Sequence, residues 1–161
     1  MRAVLLISLA ILLQFATQLR AAEPAPIQDQ PLEISSGRLE ADESARRVTF
    51  LDKVVARQGD VVIYAESLSI YYADEKREIT RIVAEKDVRI VQGSRVVTGE
   101  RAEYEHRTGI IELTGHPKVH QGKDAVSGDK ITVYLNEEKS VISGAGGSRV
   151  NALFHPSEEK P

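Results

Sequence analysis

The chain is predicted to be all-β, with two facing antiparallel sheets built from strand–turn–strand repeats and left open instead of closed into a barrel. Three observations predict it. Gln-Gly recurs in "RQGDVVI" (57–63), "VQGSRVV" (91–97) and "HQGKDAV" (120–126), each time between β-type runs. A small residue followed by two variable ones and then apolar-x-apolar recurs in "SGRLEA" (36–41), "AESLSI" (65–70), "GERAEY" (99–104) and "GDKITV" (128–133). These landmarks step together: Gly59, Gly93 and Gly122 are 34 and 29 residues apart, and Ser36, Ala65, Gly99 and Gly128 are 29, 34 and 29 apart. Third, no window beyond the N-terminus carries apolar residues at helical spacing between caps.

The first element is not part of that fold. "MRAVLLISLAILLQFATQLRAAEP" places Arg2 before an apolar run from Ala3 to Leu13 and small residues at Ala21 and Ala22, the plan of a cleaved secretory signal peptide over 1–22. Gln14, Thr17, Gln18 and Arg20 interrupt the run short of the ~20 apolar residues a membrane anchor needs. A flexible segment (23–30), the β domain (31–155) and a short tail (156–161) follow. Removing Arg2 and Arg20 from 21 basic residues leaves 19 against 24 acidic, a net charge of −5. That balance argues against binding nucleic acid through bulk charge, and 5% aromatic residues with no Trp argue against a stacking platform for it. With no Cys, disulfides, thiol nucleophiles and thiolate metal sites are excluded.

The strands read as "VVIYAESLSIYY" (61–72), "ITRIVAEKDVRIV" (79–91), "RAEYEHRTGIIEL" (101–113) and "DKITVYL" (129–135), rich in β-branched and aromatic residues. Gly in each Gln-Gly pair supplies the positive φ of a tight hairpin. "GAGGSRV" (144–150) reads as a fourth turn with altered letters, as terminal repeats often are. The period of two then sorts the faces. Counting back from the turns puts Val54, Ala56, Val88, Ile90 and Val119 inside. Counting from the small residues adds Leu39, Ala41, Leu68, Ile70, Ala102, Tyr104, Ile131 and Val133. Lys53, Arg57, Asp87, Arg89, Lys118 and His120 fall outside. Ala41, Ala56 and Ala102 are small for a filled sandwich core, so they predict either a groove with unfilled volume or gaps filled from the opposite sheet.

No reactive constellation accompanies the strands. His106, His116, His120 and His155 read as surface residues; His116 and His120, if both in one strand, lie about 13 Å apart. No carboxylate joins a nucleophile, a phosphate loop or a metal cluster, so no catalytic residue, metal or cofactor is expected.

"TGERAEYE…GIIELTG" (98–115), "VSGDKITVYLNEEK" (126–139) and "SRVNALFHPSE" (148–158) resemble the LptA (OstA-like) family, and "DQPLEISSGRLEAD" (29–42) and "VTFLDKVVARQGDVVIYAESLSIYY" (48–72) fit the same pattern. The resemblance implies an open β-jelly roll in the periplasm whose apolar inside holds the acyl chains of lipopolysaccharide on its way to the outer membrane. It implies Leu32, Ile90 and Tyr104 as groove positions. It also implies head-to-tail self-association, and partners of the same fold: an LptC-like inner-membrane protein and an LptD-like outer-membrane protein. The edges for such pairing are expected at Leu32 and Ile34 on one side and at Val150, Ala152 and Phe154 on the other. The connection "YADEKREITR" (72–81) and the tail are shorter than in better-known members. Two other readings stay open: the anchored LptC-like partner, and a structural β-repeat protein without lipid cargo.

Overall fold

The computed structural model describes residues 30–73, 78–137 and 139–156; the expected leader (1–22) and most of the 23–30 segment lie outside them. Two short strands, β1 (Glu33–Ser35) and β2 (Arg38–Asp42), precede four long ones: β3 (Arg47–Gln58), β4 (Val61–Tyr72), β5 (Ile79–Gln92) and β6 (Arg95–Glu105). Six short strands follow: β7 (Ile110–Thr114), β8 (Lys118–Gln121), β9 (Asp124–Ser127), β10 (Lys130–Tyr134), β11 (Lys139–Ser143) and β12 (Asn151–Leu153). A 3-10 turn at Leu135–Glu137 is the only helical element among the described residues.

The pairings resolve into one antiparallel meander bent along a single crease. The first half of β3 pairs with β2 and the second half of β4, whereas its second half pairs with β1 and the first half of β4. The same exchange continues through β5 and β6. Beyond β6 each pass is cut into two strands, β7 and β8, β9 and β10, β11 and β12. One sheet therefore runs β2-β3-β4-β5-β6-β7-β10-β11 and the other β1-β3-β4-β5-β6-β8-β9-β12, with neither end closing on the other. This is the open two-layer β fold expected from the repeats.

The crease has a local cause. In the passes that lead into Gln-Gly turns, two consecutive residues adopt left-handed backbone: Asp52 and Lys53 (φ 67° and 56°), Lys86 and Asp87 (64° and 51°), Gly115 and His116 (76° and 55°). Each pair begins seven residues before the turn glycine at 59, 93 or 122, whose own φ is 59°, 56° or 60°. Non-Gly residues pay roughly 1–2 kcal/mol for this region, so packing must hold the corner. The small-residue landmark lies where neighbouring strands meet these corners. The amide of Gly37, next to Ser36, donates to the Asp52 carbonyl at 2.9 Å, Ala65 pairs with Val54, Gly99 pairs with Val88, and the Gly128 amide donates to the Pro117 carbonyl at 3.3 Å.

Glycines along the repeat are consequently unequal. A Cβ on Gly115 would sit 2.3 Å from the Glu100 Cβ, whereas one on Gly93 or Gly122 meets nothing within 4 Å. Gly115→Ala is expected to cost about 3 kcal/mol or more in urea melts, and Gly122→Ala only about 1–2 kcal/mol from backbone strain.

Three sequence expectations need correction. "RAEYEHRTGIIEL" is not one strand: β6 ends at Glu105 and β7 starts at Ile110, with Gly109 (φ 64°) in the turn between them. "GAGGSRV" is not a fourth hairpin, because β11 and β12 do not pair with each other; it carries the last pass across the crease from β10's neighbour to β9's neighbour. Asp129 ties that crossover down, accepting from the Ala145 amide at 2.7 Å and from the Ser148 hydroxyl; these bonds hold its carboxyl below the usual range, Ser148 contributing most. His116 is no strand residue but the second member of a left-handed corner.

Candidate lipid groove

Following the registers across the molecule gives three apolar rows on the facing surfaces. In the first sheet, Leu39, Phe50, Leu68, Ala84, Ala102, Leu113, Ile131 and Ile142 are successive cross-strand partners. Beside them run Ala41, Val48, Ile70, Ile82, Tyr104, Ile111 and Val133. In the second sheet the row is Ile34, Ala56, Ile63, Ile90, Val97, Val119, Val126 and Ala152. Side chains from both sheets join in one cluster, where Ala65, Ala84, Val88, Ala102, Leu113 and Ile131 are packed by Ile63, Ile90, Val97, Ile111 and Val119 among others. A second cluster gathers Val54, Ala56, Leu68 and Ile70 with Leu32, Ile34 and Phe50 at the N-terminal end.

Burial falls away from the crease. Val54, Val88, Leu68, Leu113 and Ile131, next to it, are no more than 2% exposed. Ile63, Ile82, Ile90, Val97, Tyr104, Ile111, Val119 and Val133, farther out, are only half-buried. Ala56 and Ile70 are exceptions, covered within the N-terminal cluster. That gradient is the pattern expected of sheets that meet at the crease and part away from it, a wedge lined by branched aliphatic side chains. Of the two sequence readings for the small residues, burial favours the filled one: Ala56 and Ala102, like Ala65 and Ala84, are buried within the apolar clusters. Ala41 and Leu39 face inward but lie on the uncovered edge strand, Leu39 being 54% exposed.

The sequence missed Ile63 and Val97 because the inward parity changes within β4 and β6. Inward residues are odd-numbered before the crease (Ile63 and Ala65, Val97 and Gly99) and even-numbered after it (Leu68 and Ile70, Ala102 and Tyr104), as the register shifts at Tyr64/Ser67 and Glu85/Val88 require. Opposite the two-residue corners 52–53 and 86–87 the neighbouring strand passes with one unpaired residue, Glu66 or Glu100, so β4 and β6 change parity there while β3 and β5 keep theirs. The hairpins held the missing signal: Gln58 pairs with Val61 across a two-residue turn, which carries inward facing from Ala56 to Ile63.

Polar chemistry is on the outside. Over the first sheet, Arg101 bridges Glu85 and Glu103 (2.7 Å to the latter), Arg81 reaches Glu103 at 3.2 Å, and Lys130 pairs with Glu112. The Arg101 hydrogen bond, with Arg81 adding to it, holds the Glu103 carboxyl below its usual range. This layer buries Val83 and Thr132 on the outer face and presents charge, not apolar surface, to water. On the second sheet Arg57, Arg89 and Lys118 face outward, and Arg89 lies over the Tyr64 ring, 5.4 Å from its centroid. Inside, Tyr104 is the notable polar group: its hydroxyl meets His106 Nδ1 at 3.2 Å, and burial followed by the Glu105 charge raises its pKa, keeping the phenol neutral. His155 clamps the final strand through its backbone N–H to Asp124 at 2.9 Å. An open cleft of about 400 Å³ near Arg46, Tyr71, Arg81 and Glu105 lies at the end of the first sheet and is polar. No group of three His, Cys, Asp or Glu is placed to hold a metal among the described residues.

The expected edge residues separate. Ile34 in β1 and Ala152 in β12 are strand residues at opposite ends of the second sheet, and Leu32 packs just before β1. Val150 and Phe154 flank β12 outside the strand and are 42% and 69% exposed. The first sheet has its own open edges, β2 and β11, which sequence reading did not assign to pairing.

Comparison with known proteins agrees with this architecture. Similar proteins include the lipopolysaccharide export system protein LptA of Escherichia coli K12, 27% identical over 81% of this chain and 74% of that one. That of Haemophilus influenzae is 26% identical over 81% and 80%. The crystal structure of LptH, the LptA-homologous periplasmic component of the lipopolysaccharide transport device of Pseudomonas aeruginosa, superposes with a TM-score of 0.69 at 18% identity, covering 81% of this chain and 99% of that one. The family model described as LptA/(LptD N-terminal domain) LPS transport protein matches residues 33–139. The chain belongs to that LPS transport family.

Proposed function

We propose that this protein is a periplasmic carrier that holds the acyl chains of lipopolysaccharide in the wedge between its sheets and passes them toward the outer membrane. The observation that carries the reading is the continuous apolar inner face, buried at the crease and half-open beyond it, which the transport-named relatives accompany. Each methylene moved from water into such a wedge gains about 0.8 kcal/mol. Neighbouring strands offer nearly the same lining, so a chain sliding along the row meets no deep trap. Binding needs no covalent chemistry in this protein, and directional energy is supplied elsewhere. Four open strand edges are where further copies, head to tail, and the LptC-like and LptD-like partners would pair.

Photo-crosslinking tests it. A photoreactive residue at Ile90 or Tyr104 is expected to capture lipopolysaccharide, and one at Arg89 or Glu103, their outward neighbours, to capture none. Equal labelling at all four would sink the face assignment, and no labelling at the first two would sink the carrier.

A further inference from the structure

The turns of the repeat require glycine, but nothing in a two-residue hairpin requires the glutamine that precedes it. Yet Gln58, Gln92 and Gln121 hold the same place: each lies two residues beyond an inward groove residue, Ala56, Ile90 or Val119. They therefore share the inner face at the lip of the second sheet. With Val61, Arg95 and Asp124 they form one unbroken cross-strand row. Successive glutamines are two strands apart, roughly 10 Å. The lip of the first sheet is different in kind, carrying Tyr72 and Ile79 against the apolar cluster.

The chemistry of this row is specific. Gln58 spends an amide N–H on the Gln30 carbonyl (2.9 Å), and Gln92 spends one on the Asp60 carboxylate (3.3 Å). Each amide N–H is thereby turned toward a partner, and no hydrogen bond to either side-chain carbonyl oxygen is seen among the described residues. Arg95, in the row, and Lys123, at the tip of the third turn, are exposed and pair with no carboxylate among the described residues. That contrasts with Arg81, Arg101 and Lys130 on the first sheet, all of which are paired. Free carbonyl acceptors suit hydroxyl groups, and unpaired cations suit phosphate. We infer that the Gln58–Gln92–Gln121 row with Arg95 and Lys123 is a rail for the phosphorylated sugar head of the amphiphile whose tails occupy the groove. This deepens the carrier reading and rests on it. The rail repeats with the strands, so head and tails advance by the same step.

The test is equilibrium binding of a diphosphorylated lipid A, and of the same lipid with its phosphates removed, to purified mature protein. The wild type is expected to favour the phosphorylated lipid by about tenfold, the value of one good charge-assisted contact. Arg95→Glu combined with Lys123→Glu, two exposed cations with no carboxylate partner among the described residues, is expected to erase that preference. The variant's affinity for the dephosphorylated lipid should stay within about twofold and its melting curve unchanged, since the tails carry that binding. A preference that survives in the double variant, or is missing from the wild type while both lipids bind, overturns the rail and leaves the groove standing. Binding of neither lipid overturns the carrier reading, and the rail with it.

Discussion

Leu113→Asp is expected to abolish cooperative unfolding, whereas Ile90→Asp is expected to fold and lose its cargo. The difference lies in distance from the crease. Leu113 is 2% exposed among Ala84, Val88, Ala102 and Ile131, where a carboxylate finds neither water nor a donor. Burying such a group costs several kcal/mol, a large part of the roughly 5–15 kcal/mol that holds a domain together. Ile90 is half-buried in the open part of the wedge, so an aspartate there stays hydrated and costs the fold about 1–2 kcal/mol of lost apolar contact. To a lipid tail, however, that charge is an obstacle, and binding should fall by roughly tenfold or more. Circular dichroism melts with lipid co-purification separate the two outcomes. If Ile90→Asp unfolds like Leu113→Asp, the sheets are closed on each other and there is no groove.

If copies join head to tail through these edges, Ile34→Pro and Ala152→Pro, each alone, are expected to stay monomeric, and their mixture to stop at heterodimers. Both residues lie in strands that pair on one flank only, at opposite ends of the second sheet. Proline removes a ladder donor and adds ring bulk at an edge. In a head-to-tail contact each variant keeps one good end, so the two good ends can meet once and then run out. Sedimentation velocity reads the result directly. Long chains from either variant, or homodimers that resist dilution, would show that the contact does not run through these edges.

Much of the fold is legible in the residues alone, and what is not has a physical reason. The Gln-Gly ladder places three hairpins at Gly59, Gly93 and Gly122, because a two-residue turn leaves a residue signature that few other elements share. The small-residue ladder marks real positions, but their meaning, room for a neighbour's corner, depends on contacts between passes that no local pattern records. Asp52-Lys53 and Lys86-Asp87 look like ordinary charged pairs, and nothing in their identity announces left-handed backbone. The same silence at the bulges hides Ile63 and Val97. "GAGGSRV" misleads for the opposite reason: glycines with positive φ serve a crossover as well as a hairpin, and only the partner of β12 tells which.

The corner recurring before each Gln-Gly turn also sets how such a molecule can change size. In a closed barrel the number of strands dictates the bore, because the ends must meet. Here each pass that leads into a Gln-Gly turn carries its own corner, seven residues before the turn glycine, and no closure condition links one pass to the next. Width is decided by where the bend falls along a pass, and length by how many passes there are. The cross-section is thus inherited pass by pass, as in an extruded channel. One more strand–turn–strand unit would lengthen the trough by about two sheet spacings, roughly 10 Å, at unchanged gauge.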